Sequence, residues 1–107
     1  MTILTDPTQR IRCELRCHHQ EEHKLIELLL AKEVTVFDVW QCQRYGLPAS
    51  QLSLIEQVRG FVRYSYASCE LPYRKAIEIK QALHQTIPNG ECTLLPLMPC
   101  DTEKSHS

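Results

Sequence analysis

Glycine is scarce in this chain, three residues in 107, and none of them builds the glycine-rich loop that cradles a nucleotide's phosphates. The GxSxG and HExxH signatures are missing, as is any CxxC pair, so no acyl-transfer or zinc-protease chemistry is encoded in a short motif. The chain is therefore expected not to be an enzyme and to need no cofactor or metal. No run approaches the ~20 apolar residues of a membrane span, and the N-terminus lacks a basic start followed by an apolar core. Both absences predict a cytoplasmic protein. There is also no excess of charge: a net of -1 excludes a protein that coats nucleic acid indiscriminately, because that affinity comes from neutralising phosphates.

What is present is ordinary for a globular chain, with 43% hydrophobic and 23% charged residues. A chain of this length buries enough surface to fold unaided. Six cysteines, Cys13, Cys17, Cys42, Cys69, Cys92 and Cys100, are scattered without the dense paired spacing of a disulfide scaffold, and in a reducing compartment they are expected as thiols. No internal repeat or low-complexity segment occurs. The polar ends, residues 1–8 and 100–107 (CDTEKSHS), are expected to fray.

Residues 10–18 carry two superposed patterns. Ile11, Cys13, Leu15 and Cys17 alternate with polar residues as in a strand, yet Ile11 and Leu15 also share a helix face. With no hairpin partner nearby, helix is the preferred reading. Residues 20–32 (QEEHKLIELLLAK) predict the strongest helix, acidic at its start and basic at its end, with Leu25, Ile26, Leu28 and Leu29 buried. A helix is expected over 36–45, capped by Thr35, and a third from Pro48 to about Gly60. Residues 61–67 (FVRYSYA) alternate as a strand or wing. Pro72 opens a helix to about Gln85, residues 87–90 turn, and 91–97 form a short edge strand, as Pro96 suggests.

The stretch DVWQCQRYGLPASQLSLI, residues 38–55, has the spacing of a helix-turn-helix: Gly46 for the positive φ of a tight turn, Cys42 as the small residue where helices cross, and Leu47, Leu52 and Ile55 facing the partner. Around it, residues 39–63 hold Arg44, Arg59 and Arg63 against Glu56, three positive charges to one negative. With the preceding helix and the later Ile87 to Pro96 turn and strand, this order resembles the TrfB/KorA-type plasmid transcriptional repressors and the related PapB-type fimbrial regulators.

The resemblance implies a mainly α fold, with a helix-turn-helix core over residues 6–67, a C-terminal helix and strand over 68–99 as a possible dimerisation element, and a disordered tail over 100–107. It also implies a bacterial homodimeric repressor binding a palindromic operator in double-stranded DNA, with the helix from Pro48 in the major groove. Ala49, Ser50, Ser53, Leu54 and Gln57 would then meet base edges, and Arg44, Arg59 and Arg63 phosphates. Pro48 and Ala49 depart from the usual capping and reading residues. The alternative is a small helical protein-interaction module, an inhibitor or adaptor, using the same exposed helix.

Two further clusters admit functional readings. Cys13, Cys17, His18, His19 and His23 are zinc-ligand types, but on a helix the cysteines and histidines fall about 140° apart, so core cysteines and solvated histidines are preferred. Tyr64, Tyr66 and Tyr73 near Arg63 and Arg74 could stack on single-stranded nucleic acid; a strand packed on helices explains them more simply. Trp40 and Tyr45 are expected in the core.

Overall fold

The computed structural model describes residues 6–97. Four strands, β1 (Arg10–His18), β2 (Asp38–Tyr45), β3 (Phe61–Pro72) and β4 (Glu91–Pro96), alternate with three helices, α1 (Glu22–Ala31), α2 (Leu54–Arg59) and α3 (Tyr73–Thr86). The sheet order is β2-β3-β1-β4, and every neighbouring pair is antiparallel. β1 and β2 thus run parallel with β3 between them, and β3 and β4 run parallel with β1 between them. These are two interleaved split β-α-β units, the ferredoxin-like arrangement. Their crossover helices α1 and α3 lie on one face of the sheet.

Residues 10–18 resolve their two patterns in favour of the strand. Ile11, Cys13, Leu15 and Cys17 are all buried on the helix-covered face, while Arg12 and Glu14 point the other way. The pairing partner is β3, with Cys13 opposite Cys69 and Leu15 opposite Ala67. That partner lies some fifty residues along the chain, so a search for a nearby hairpin could not find it. The helix expected over 36–45 is likewise β2. Its Val39, Trp40 and Tyr45 suit a pleated surface, and as an edge strand it buries no residue fully, which leaves it without a clean apolar alternation.

No helix-turn-helix forms. Its first helix is β2, and its second is broken: a 3-10 turn at Ala49–Gln51 is separated from α2 by Leu52 and Ser53, both extended. Gly46 does take a positive φ of 89°, but it opens the insertion between β2 and β3, not a turn between two helices. The mainly α expectation is therefore corrected to α+β. The tail over 100–107 lies outside the described residues.

α1, α3, the turn at 87–90 and the edge strand β4 stand close to their expected places. Leu25, Leu28 and Leu29 of α1 and Ala76, Ile79 and Leu83 of α3 face the sheet, each at helical spacing. Glu22 begins α1 and ties it to two strands: its Oε1 accepts from Ser65 Oγ of β3 at 2.6 Å and from Gln41 Nε2 of β2 at 3.0 Å.

α1 ends in a Schellman motif. Val34 N–H donates to Leu29 O, and Glu33 N–H to Leu30 O, both at 3.0 Å. This puts Glu33 in the left-handed region, φ 62°, where a side chain costs about 1 kcal/mol. Glu33→Gly is expected to raise stability by about 0.5–1 kcal/mol, read as a higher melting temperature. A fall in melting temperature would show that the Glu33 side chain is needed.

The other sheet face carries aromatic and basic residues. Trp40 is 42% exposed and stacks on Tyr66, centroids 5.4 Å apart with planes within 8°, so it is not the core residue expected. Arg16 lies over Tyr64 and Tyr66. Tyr45, also expected in the core, is exposed against Phe61. Among the described residues no helix is long and apolar enough to cross a membrane.

Candidate functional site

At one end of the sheet, the close of β1, the start of β3 and the insertion at residues 46–60 meet around a hollow of about 220 Å³. Its lining includes His18, His19, Ser53, Glu56, Arg59 and Arg63. His18 and Gln20 also line an adjoining hollow of about 390 Å³ with Glu21, Tyr64 and Asn89, and Arg63 borders a third, with Gln41, Cys42, Gln43 and Tyr45.

The insertion is held here by one clasp. His18 Nε2 and Glu56 Oε2 are 2.9 Å apart, and His18 Nδ1 accepts from the Gln20 backbone N–H at 3.3 Å. With Nδ1 accepting, Nε2 bears the proton and donates to the carboxylate. Glu56 is buried, and its other oxygen accepts from Ser53 N–H at 2.9 Å, while Ser53 Oγ accepts from Glu56 N–H at 3.2 Å. This capping box starts α2. The hydrogen bond from His18, and then that from the Ser53 backbone, hold the Glu56 carboxyl below its ordinary range.

Among the described residues, the clasp occupies the one carboxylate that lines the smaller hollow, leaving its cations in excess. Among the described residues no carboxylate lies within ion-pair distance of Arg59 or Arg63. Arg59 rests over the Phe61 ring at 5.2 Å. His19 Nδ1 is buried and has no hydrogen-bond partner among the described residues, a condition a polar ligand or water normally relieves. The lining suits a small anion: two guanidinium groups and the Ser53 hydroxyl border one space.

Of the residues expected to contact DNA, Ser53, Arg59 and Arg63 come together here. Ala49, Ser50 and Leu54 do not line the hollow; they are exposed on the insertion. Gln57 Nε2 is engaged by the carbonyls of Ala49 and Leu52, 3.3 Å each, so its amide closes the insertion on itself. Arg44 lies over Tyr64 on the open sheet face. His18 and Glu56 are missed as a pair by the sequence reading, although Ser53-Leu-Ile-Glu56 is itself a capping-box signature that marks the true start of α2. Cys13 and Cys17 are core residues, and among the described residues no group of three or more histidine, cysteine or acidic side chains is arranged to hold a metal ion.

The sequence matches no protein-family model and no curated protein. Solved structures share its fold. A DUF3240 family protein from Shewanella baltica superposes with a TM-score of 0.65 at 9% identity, covering 86% of this chain and 93% of that one. A putative PII-like signaling protein from Thermus thermophilus gives 0.60 at 12% identity, over 90% and 95%. CPII, a nitrogen regulatory PII-like protein from Thiomonas intermedia bound to ADP, AMP and bicarbonate, gives 0.58 at 9%, over 80% and 90%. These likenesses, together with the strand at Asp38–Tyr45, overturn the resemblance to TrfB/KorA-type and PapB-type regulators. The reading of a DNA-binding dimeric repressor on a palindromic operator falls with it, since the two helices that would read DNA are a strand and a broken segment.

Proposed function

We propose that this chain is a small cytoplasmic regulatory module that binds a small anionic ligand between the end of its sheet and the insertion at residues 46–60, without turning it over. The observation that carries the reading is the pair Arg59 and Arg63, free of carboxylate partners among the described residues, beside the unsatisfied His19 Nδ1. The fold shared with PII-like proteins supports it, one of them bound to ADP, AMP and bicarbonate. All three ligands are anions that arginine forks recognise. Because α2 is tied to β1 by one histidine and one glutamate, a ligand seated on Arg59 and Arg63 would bear directly on how the insertion is held.

Calorimetric titration with AMP, ADP, bicarbonate and inorganic phosphate tests this. At least one is expected to bind, and Arg63→Ala to weaken it by about tenfold or more, the loss of one charge-assisted contact, with an unchanged circular dichroism spectrum. Failure of all four to bind, or undiminished binding by both Arg63→Ala and Arg59→Ala, would reject the site. A protein-interaction module is the second reading, favoured by α2, whose Leu54, Ile55 and Val58 are 79%, 68% and 88% exposed.

A further inference from the structure

Three cysteines from three adjacent strands meet on the helix-covered face of the sheet, away from the cationic hollow. Cys13 of β1 sits directly opposite Cys69 of β3. On its other side, β4 pairs Leu15 with Cys92 and Cys13 with Leu94, so Cys13 and Cys92 are diagonal neighbours. Sheet twist draws this diagonal together, and the two Sγ atoms are 3.7 Å apart.

The three thiols are not equivalent. Cys13 and Cys69 are buried, and Cys69 directs its S–H at the Cys13 carbonyl, 3.9 Å away. Cys92 is partly exposed on an edge strand, so it alone of the three combines access from solvent with a sulfur neighbour at van der Waals contact. We propose that Cys92 is an oxidant-sensitive modification site, attacked by small hydroperoxides and resolved by Cys13 into an intramolecular disulfide.

The electrostatics bear on the attacking sulfur: contact with Cys13 lowers the pKa of both Cys92 and Cys69, and of these two Lys80 acts on Cys92. Hydrogen bonding to its two sulfur neighbours, and then burial, hold Cys13 as the protonated thiol. Its S–H in turn favours the Cys92 thiolate, to which the Lys80 ammonium adds. In the first step the Cys92 thiolate attacks the hydroperoxide; the O–O bond breaks, Cys92 becomes a sulfenic acid, and the departing alkoxide or hydroxide takes up a proton. In the second, Cys13 sulfur displaces the sulfenic hydroxyl, which leaves as water with the Cys13 proton. Two thiols and one hydroperoxide thereby give one disulfide, one alcohol or water, and one water. The sulfur atoms must close to about 2 Å, which side-chain rotation and a small shift of the edge strand supply.

The chain contains its own references. Cys42, partly exposed on β2, is not among the sulfur contacts of this trio. Cys17 is buried and pushed up to about 11 by that burial and by Glu21 and Glu22. The test treats the reduced full-length protein with one equivalent of hydrogen peroxide, blocks remaining thiols, and maps unreduced peptides by mass spectrometry. A Cys13–Cys92 cross-link is expected as the dominant product, with Cys92 consumed about tenfold or more faster than Cys42, as thiolate character and a resolving partner require. Dimedone added during oxidation of Cys13→Ser should trap the sulfenic acid on Cys92. A dominant disulfide through Cys69, Cys42 or Cys100, or a Cys92 no more reactive than Cys42, overturns the proposal; both readings come from wild-type protein, so a variant that fails to fold does not shield it.

Discussion

Leu15→Ala is expected to lower stability by about 2–5 kcal/mol, the cost of emptying a fully enclosed leucine site, whereas Ile55→Ala should stay within about 0.5 kcal/mol. Leu15 is 0% exposed in the central strand β1, beneath the helices and flanked by Ala67 and Cys92 on either side. Rigid strands on both sides keep the cavity from collapsing. Ile55 is 68% exposed on α2. In a helix-turn-helix the order would reverse, because Ile55 would seal the angle between two helices. Urea unfolding of the two variants reads the difference directly as a shift in midpoint at unchanged slope. Comparable losses from both would contradict the sheet-centred core described above.

Ser65→Ala is the second large effect, expected to cost about 1.5–3 kcal/mol at neutral pH, as for a hydrogen bond to a charged group. Ser65 is 0% exposed, and its hydroxyl reaches Glu22 at 2.6 Å. That contact, and then the one from Gln41, hold the Glu22 carboxyl below its ordinary range. A carboxyl lowered in the folded state adds stability that is complete above its unfolded pKa and disappears as pH falls through the folded one. The gap between wild type and Ser65→Ala should therefore be widest at neutral pH and begin to close below the ordinary glutamate range, about 4. It should continue to narrow as Glu22 protonates. The His18–Glu56 clasp has the same sign: Glu56 is also lowered, so the insertion should loosen from the sheet over the same acidic interval. Unfolding curves collected from pH 7 downward for both proteins check this; a gap independent of pH would mean that Ser65 contributes by packing alone.

The candidate site is partly legible in the sequence. Arg59 and Arg63 stand out in the sequence as positive charges near a single Glu56, and both border the hollow. The helix-turn-helix resemblance points them at phosphates of DNA, because Gly46 and the apolar spacing around it fit a turn between helices. The same glycine, with the same positive φ, instead opens a fifteen-residue connection, residues 46–60, between β2 and β3. Backbone conformation at one residue does not reveal what the flanking segments pair with. His18 and Glu56 lie 38 residues apart, and only the fold brings them together.

What the sequence determines by itself is whatever depends on neighbours within a few residues. The leucine spacing and charge order of α1, the helix after Pro72, the alternation of Tyr64 and Tyr66 in β3 and the turn at residues 87–90 all belong here, because helical faces, caps and turns are short-range physics. Tertiary structure decided what depends on partners far along the chain. Residues 10–18 satisfy both periods until β3 arrives on one side and β4 on the other to take up their backbone hydrogen bonds. Residues 38–45 become an edge strand for the same reason. The cationic hollow and the Cys13–Cys92 contact follow from that pairing, since both join side chains that share no local pattern and meet only when the two split β-α-β units close into one sheet.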